Sequence, residues 1–361
     1  MKITIAALAV ALAAAGASAQ EAGLGFQGQS WRSTAQYARV VEFQSREGLQ
    51  WRDGQLWLDA GFRTGEIEFD LVLVGEPGHT GIIWHAAGDA DYEKFYLRHH
   101  LSGQPDSVQY APSFSGNVGW QIYADRAHQD RVNHRLHDWM RVRLVIDEDR
   151  ADIYLDGERV FHIPHLHRDA ETGPIGFWNL APDDTASAII ANLDIRPGEA
   201  AIRGEAPPLP DALAAPGLVT HWQVSAPFAE AALPAGDAPA DFLAGRTWTP
   251  LDVEPNGIAN LARAADIREG DTVLARHVLT SAEPRTVMAE FGYSDRARVY
   301  LNGALVYAGN KGWATRDYRY LGTVTRHQSL PLRLREGENE LVFAVSETFG
   351  GWAVTAAIGQ D

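Results

Sequence analysis

The chain has 361 residues, 45% of them hydrophobic, with 11 Trp, 11 Tyr and 13 Phe, so it carries ample material for buried cores. Its formal net charge of −16 repels nucleic acid and anionic membrane surfaces, which are therefore not expected as partners. It contains no cysteine, so neither disulfides nor acylation of an N-terminal cysteine is open to it, and its stability must come from packing.

Met1-Lys2, the apolar run Ile3 to Ala15 and the small residues Ala17-Ser18-Ala19 read as a secretory signal peptide over residues 1–19. The apolar run is shorter than the ~20 residues that span a bilayer, and no later segment reaches that length without charges. The expectation is an exported protein, periplasmic or extracellular, without membrane insertion. The ~340 residues that follow suggest two domains at ~100–200 residues each.

Short alternating runs come next: Glu66 to Val74, Gly81 to His85, Lys94 to His99, Trp139 to Ile146 and Ala151 to Leu155. The stretch Pro197 to Gly217, PGEAAIRGEAPPLPDALAAPG, has no hydrophobic periodicity and is dense in Pro, Ala and Gly, as a linker is. Domains are thus expected over residues 20–197 and 218–361, joined by 198–217. Ala226 to Gly245 has similar character and reads as a long loop inside the second domain. Further strands are expected at Thr272 to Leu279, Thr286 to Phe291, Arg298 to Leu301 and Glu340 to Val345. With no long 3.6-residue apolar period between them, these runs make an all-β chain of two antiparallel sandwiches. Ile153-Tyr-Leu-Asp-Gly157-Glu-Arg-Val-Phe161 and Val299-Tyr-Leu-Asn-Gly303-Ala-Leu-Val-Tyr307 share one hairpin signature, Asp-Gly or Asn-Gly between apolar strands.

A resemblance rests on Gly65-Glu-Ile-Glu-Phe-Asp70, Gly81-Ile-Ile-Trp84, Asp91-Tyr-Glu-Lys-Phe-Tyr-Leu-Arg98, Gln109-Tyr-Ala-Pro112, Gly119-Trp-Gln121, Trp139-Met-Arg-Val-Arg143, Ala151 to Gly157 and Gly173-Pro-Ile-Gly-Phe-Trp178, in that order. Together they resemble a concanavalin-A-like or laminin-G-like jelly roll of the lectin and glucanase superfamily, near the 3-keto-disaccharide hydrolase domains. In the second half, Gly257-Ile-Ala-Asn-Leu261, Phe291-Gly-Tyr-Ser294, Val299 to Gly303, Gly337-Glu-Asn-Glu-Leu341 and Phe349-Gly-Gly-Trp352 are similar to galactose-binding-like jelly rolls. The resemblance implies glycans, or glycan-processing proteins, as partners; the fold alone fixes no activity.

Glu66, Glu68 and Asp70 alternate with Ile67 and Phe69, which puts three carboxylates on one strand face. This resembles the Glu-x-Asp-x-Glu strand of retaining glucanases, with the Asp and Glu positions reversed. A retaining pair needs carboxyls ~5–5.5 Å apart, and the shorter Asp70 works against that. Read by itself the strand is more simply a solvated acidic face above a buried apolar one.

A second group, Tyr92, Glu93, Tyr96, Arg98, His100, Gln109, Tyr110 and Trp120, would line a glycan site if it shared one sheet face, with Glu93 and Arg98 offering an alternative catalytic cleft. In the other reading the aromatics are core. Trp313, in Lys311-Gly-Trp313 beside Arg316, Asp317, Tyr318 and Tyr320, is a further sugar platform, and Trp352 after Gly350-Gly351 either is another or, as the favoured reading, closes the core. His162, His165 and His167, with the pair His99-His100, invite a metal but lack a marked carboxylate partner, so the metal assignment stays open. A structural Ca²⁺ is possible and no other cofactor is expected. No phosphate loop, nucleophile elbow or His-Glu-x-x-His helix occurs. Three readings follow: non-catalytic carbohydrate binding, glycoside hydrolysis, and a structural or adhesion role.

Overall fold

A computed structural model describes residues 23–312 and 323–359. The signal-peptide reading and the Trp313 platform, with Arg316, Asp317, Tyr318 and Tyr320, fall outside those residues.

Strands up to Pro197 form two sheets and strands from His221 onward form two others, every pair within them antiparallel. In the first sandwich a ten-stranded sheet runs Leu24–Phe26, Gln29–Ser33, Gly54–Phe62, Gly173–Leu180, His79–Gly88, Asp91–Arg98, then Ser113–Phe114 and Asn117–Val118. Val108–Tyr110, with Gln129–Asp130 beside it, also pairs with Asp91–Arg98. The facing seven-stranded sheet runs Glu158–Ile163, Ala151–Leu155, Met140–Ile146, Gly65–Val74, Ser187–Pro197, Arg46–Arg52 and Tyr37–Phe43. Trp31, Trp51, Phe69, Trp84, Phe95 and Phe177 fill the space between them. Strict alternation puts Ile67, Phe69 and Leu71 in that core and Glu66, Glu68 and Asp70 on the opposite face.

In the second sandwich a six-stranded sheet, centred on Thr272–Ser281 and Gly337–Ser346, packs on a four-stranded one centred on Ala353–Ile358 and Arg285–Tyr293. Trp222, Phe291, Phe343 and Trp352 are buried between the two. Both expected hairpins form. Asp156 and Gly157 have φ of 50° and 88°, and Asn302 and Gly303 have 52° and 83°, the left-handed pair that a two-residue turn requires.

Two segments differ from expectation. Ala226 to Gly245 is no bare loop: Phe228, Leu233, Phe242 and Leu243 pack on Leu274, Tyr300, Val342 and Ala344, covering the outer face of the six-stranded sheet. Its apolar residues are too widely spaced to register as an element. The proline-rich stretch is anchored where it passes Asp152, whose carboxylate accepts the Arg203 and Gly204 amides at 2.6 and 3.1 Å. A β-carbon on Gly204 would meet the His162 ring at 2.2 Å, so the close approach needs glycine there.

The sandwiches meet through the loop after Asn117–Val118. Ile122 and Tyr123 pack with Ile258, Val324 and Ala353, the Gln121 amide donates to the Gly350 carbonyl at 2.9 Å, and the Val324 amide donates to the Gln121 carbonyl at 3.1 Å.

Candidate functional site

The strand Asp91–Arg98 sorts its side chains by alternation. Phe95 and Leu97 enter the core and Glu93 shares their face, while Tyr92, Lys94, Tyr96 and Arg98 lie on the outer face of the ten-stranded sheet. Glu93 and Arg98 are therefore on opposite sides of the sheet and form no common cleft. The same divides Gln109, which bonds Tyr96, from Tyr110, which bonds Glu93.

The outer face is built by register. Gly81 pairs with Trp178 on one side and Tyr96 on the other, and having no side chain it lets the two rings approach to 5.6 Å, edge to face. A β-carbon there would meet the Phe95 carbonyl at 2.4 Å. One pair along, Gly176 and Ile83 stand beside Lys94, leaving room for its side chain to reach across, so that Nζ sits 3.6 Å from the Trp178 ring centroid and 5.1 Å from that of Tyr96. His79 lies in the next pair, its ring 6.0 Å from Tyr96 and 6.3 Å from Trp178, and His100 meets it edge-on at 5.5 Å. His100 belongs to the short turn His99–Leu101, not to the strand. Trp178 and His79 are half-buried and His100 is exposed.

The polar groups here divide into satisfied and unsatisfied. The Tyr96 hydroxyl donates to Gln109 Oε1 at 2.6 Å, and Arg98 donates to Tyr96, Gln109 and the Asp106 carbonyl. Gln109 Nε2 donates to the Trp120 carbonyl at 2.8 Å, and the Trp120 ring faces Phe349 of the second sandwich at 6.0 Å. Tyr92 meets Gln55 at 3.3 Å and the Trp57 ring at 6.1 Å. By contrast the ammonium of Lys94, a residue 1% exposed, makes no hydrogen bond or ion pair with any described residue and meets only the two rings. The buried His79 Nδ1 also lacks a partner among them. Burial, then the Arg98 charge, draws the Lys94 ammonium down to about 7, and burial with Arg98 and the neighbouring imidazoles holds His79 near 3.

Glu66, Glu68 and Asp70 form an ion-pair lattice. Arg141 donates to Glu68 at 3.0 Å and Asp70 at 3.1 Å, Arg196 to Glu66 at 2.5 Å and Glu68 at 3.1 Å, Arg143 to Glu66 at 3.3 Å, and Arg46 and Asn192 to Asp70 at 2.5 and 2.7 Å. Partial burial works to raise the Glu68 carboxyl, but the bonds from Arg141 and Arg196 hold it below 4.5. A retaining mechanism requires one carboxyl held protonated, and this lattice favours the ionised form.

The histidines of the 162–167 run do not converge on one point. His162 turns to Asp152 at 2.8 Å, His167 turns inward, and the exposed His165 meets the His167 ring edge-on at 5.3 Å. Among the described residues no three His, Asp or Glu side chains stand as a metal-binding group. His167 instead joins a chain across the domain junction that sequence spacing does not reveal. Asp125 meets His128 at 2.7 Å, His128 Nε2 meets His167 Nε2 at 3.0 Å, and His167 Nδ1 lies 3.5 Å from Glu254. Tyr123 and Arg263 donate to the other Glu254 oxygen at 2.8 and 3.2 Å. Burial, with nearby His128, His165 and Arg263, keeps His167 well below 6.5, and burial lifts Glu254, so the two approach as neutral groups, and that Glu254 oxygen has no hydrogen-bond partner among the described residues. Close by, the fully buried Glu93 accepts from the Tyr110 hydroxyl and the Arg168 amide, both at 2.6 Å, and burial pushes it to about 7.

No protein-family model matches the chain, and no curated protein matches it in sequence. Three solved structures that it resembles each align with less than half of it. A carbohydrate binding module from Bacillus subtilis aligns at 16% identity and TM-score 0.33 over 45% of this chain and 92% of its own. A putative glycosyl hydrolase from Parabacteroides distasonis aligns at 14% and 0.31 over 46% and 98%, and a galectin from Caenorhabditis elegans at 10% and 0.28 over 39% and 91%. Likeness at this level assigns neither ligand nor activity. The described residues include no helix long and apolar enough to cross a membrane.

Proposed function

We propose that the chain is an exported carbohydrate-binding protein that holds its ligand, without cleaving it, against the outer face of the ten-stranded sheet around Trp178. The observation that carries this reading is the cluster itself: a half-exposed indole beside Tyr96 and His79, with two polar groups, Lys94 Nζ and His79 Nδ1, that no described residue satisfies. Aromatic faces stack on the C–H faces of sugar rings, and a few convergent polar groups orient the hydroxyls. Protein folds rarely leave a buried nitrogen such as His79 Nδ1 without a partner, and a ligand supplies what the fold does not. Binding without cleavage is favoured because the carboxylates of Gly65–Val74 are ion-paired with arginines, while Glu93 lies on the core side of the sheet, opposite Trp178 and Lys94, and Glu254 is packed at the junction between the sandwiches.

The test is a glycan array probed with the mature protein and with Trp178→Ala, each shown by circular dichroism to be folded. Retention by the wild type and a loss of about tenfold or more in the variant is expected, as for a stacking aromatic anchor. Equal retention removes Trp178 from the site, and no retention by either favours a structural role. Release of reducing ends from a retained oligosaccharide would contradict binding without cleavage.

A further inference from the structure

Every charge that acts on Lys94 from within this face is positive or neutral. The one charged group that shifts it besides burial is Arg98, which is committed to Gln109, Tyr96 and Asp106. His79 feels Arg98, His100, His99 and Lys94, all against its own protonation, and the carboxylates Glu76 and Asp106 reach only as far as the rim at His100. A chain with a net charge of −16 thus keeps, under one half-exposed tryptophan, an ammonium with no anion opposite. Buried lysines are normally paired, because an unpaired charge in a low-dielectric site costs more than most single contacts return. An aromatic ring offsets part of that cost without supplying the hydrogen-bond acceptors that an ammonium's three N–H groups require.

We propose that the sugar taken by this face is an acidic one, a uronate whose carboxylate is received by Lys94, with the adjacent ring hydroxyl on His79. This rests on the glycan-binding reading and narrows it to a ligand class. A carboxylate is the group that fits: planar, monoanionic, able to accept two of the ammonium's hydrogen bonds, and carried on a ring that can lie against Trp178. The protein's overall field cannot provide the same preference, since at physiological ionic strength it is screened within ~8 Å and its sign repels acids. Any preference for acid must therefore be local. A bound carboxylate also favours the charged lysine, which lies near half-protonation at neutral pH in the free protein, so binding at pH 8 takes up a proton.

The experiment is an array printed with oligomers of galacturonate, glucuronate, mannuronate and guluronate, their carboxyl-methylated forms, and the matching neutral hexose oligomers. It is probed with the wild type and Lys94→Met. The wild type is expected to hold at least one acid series about tenfold or more tighter than its ester, the scale of one charge-assisted hydrogen bond. Lys94→Met should lose that difference. Titration calorimetry of the retained acid at pH 8, in two buffers of different ionisation enthalpy, should show proton uptake for the wild type and none for the variant. Methionine removes a desolvated charge and keeps the stem's volume, so the variant should fold, and its thermal melt checks this. If esters or neutral oligomers are held as tightly as acids, or if Lys94→Met keeps the preference, the uronate assignment is overturned while glycan binding stands. If no spot retains the wild type, both fall.

Discussion

A lysine ammonium buried against Trp178, with no carboxylate in reach, is charged only at a cost to folding. Its folded value lies near 7 and its ordinary value is 10.5, so between those limits the unfolded chain binds more protons than the native one. Stability from this group therefore rises as pH climbs from 7 towards 10. Urea unfolding at pH 7, 8 and 9 should show that rise. Lys94→Met should flatten it and be more stable at pH 7 by ~1–4 kcal/mol, as when buried charges are replaced by apolar groups of similar volume. A variant less stable than the wild type at pH 7 would mean that the ammonium has a partner. Lys94 could have been noticed in the sequence, since it falls between Tyr92 and Tyr96 in a two-residue period on a strand with aromatics on that face. A lysine there is either a stem lying over apolar surface with a solvated head or a committed group, and only the neighbouring strands decide. Trp178 and His79 come from two of those strands, 99 positions from each other and 84 and 15 from Lys94.

At the scale of elements, the period-two pattern and the turn residues carried most of the information. Expected runs such as Ala151 to Leu155 and Thr272 to Leu279 form because apolar residues alternate across one buried face, and both Xaa-Gly hairpins close as their residues require. The two glycines are not equivalent. A β-carbon on Gly157 would meet nothing within 4 Å, whereas one on Gly303 would press on the Ala238 carbonyl at 3.1 Å. Gly157→Ala should cost ~1–2 kcal/mol for the left-handed backbone alone, and Gly303→Ala more, as chemical denaturation would show. The Glu66, Glu68 and Asp70 ladder was visible as three carboxylates on a face, but its meaning lay in Arg141, Arg143 and Arg196, supplied by strands that only the sheet order brings alongside. Arg141→Met should cost ~1 kcal/mol, the value of a partly exposed ion pair. Because Glu68 is held below 4.5, its share of that stability is present above this value and lost as pH falls beneath it. A loss that persists unchanged at pH 3 would point to packing instead of charge.

For the whole molecule, the junction between the sandwiches adds to the response to acid that His79 and His99, held near 3 and 4 by burial, already give. His128 and His167 meet nitrogen to nitrogen at 3.0 Å, an arrangement that one shared hydrogen can hold and two imidazolium N–H groups cannot. His167 is held neutral, well below its ordinary 6.5, so the unfolded chain takes protons first and stability falls as pH drops below that value. His167→Phe should be ~1–3 kcal/mol less stable at pH 7.5, having left His128 Nε2 without a partner, yet lose less on going to pH 5. The outer face of the ten-stranded sheet remains the centre of the account. Hydroxyl-radical footprinting of the wild type, free and saturated with an oligosaccharide that the array retains, tests it most directly. Protection is expected to concentrate on Trp178, His79 and His100; protection confined to the second sandwich, or to the arginine-paired face of Glu66, Glu68 and Asp70, would contradict binding at this face.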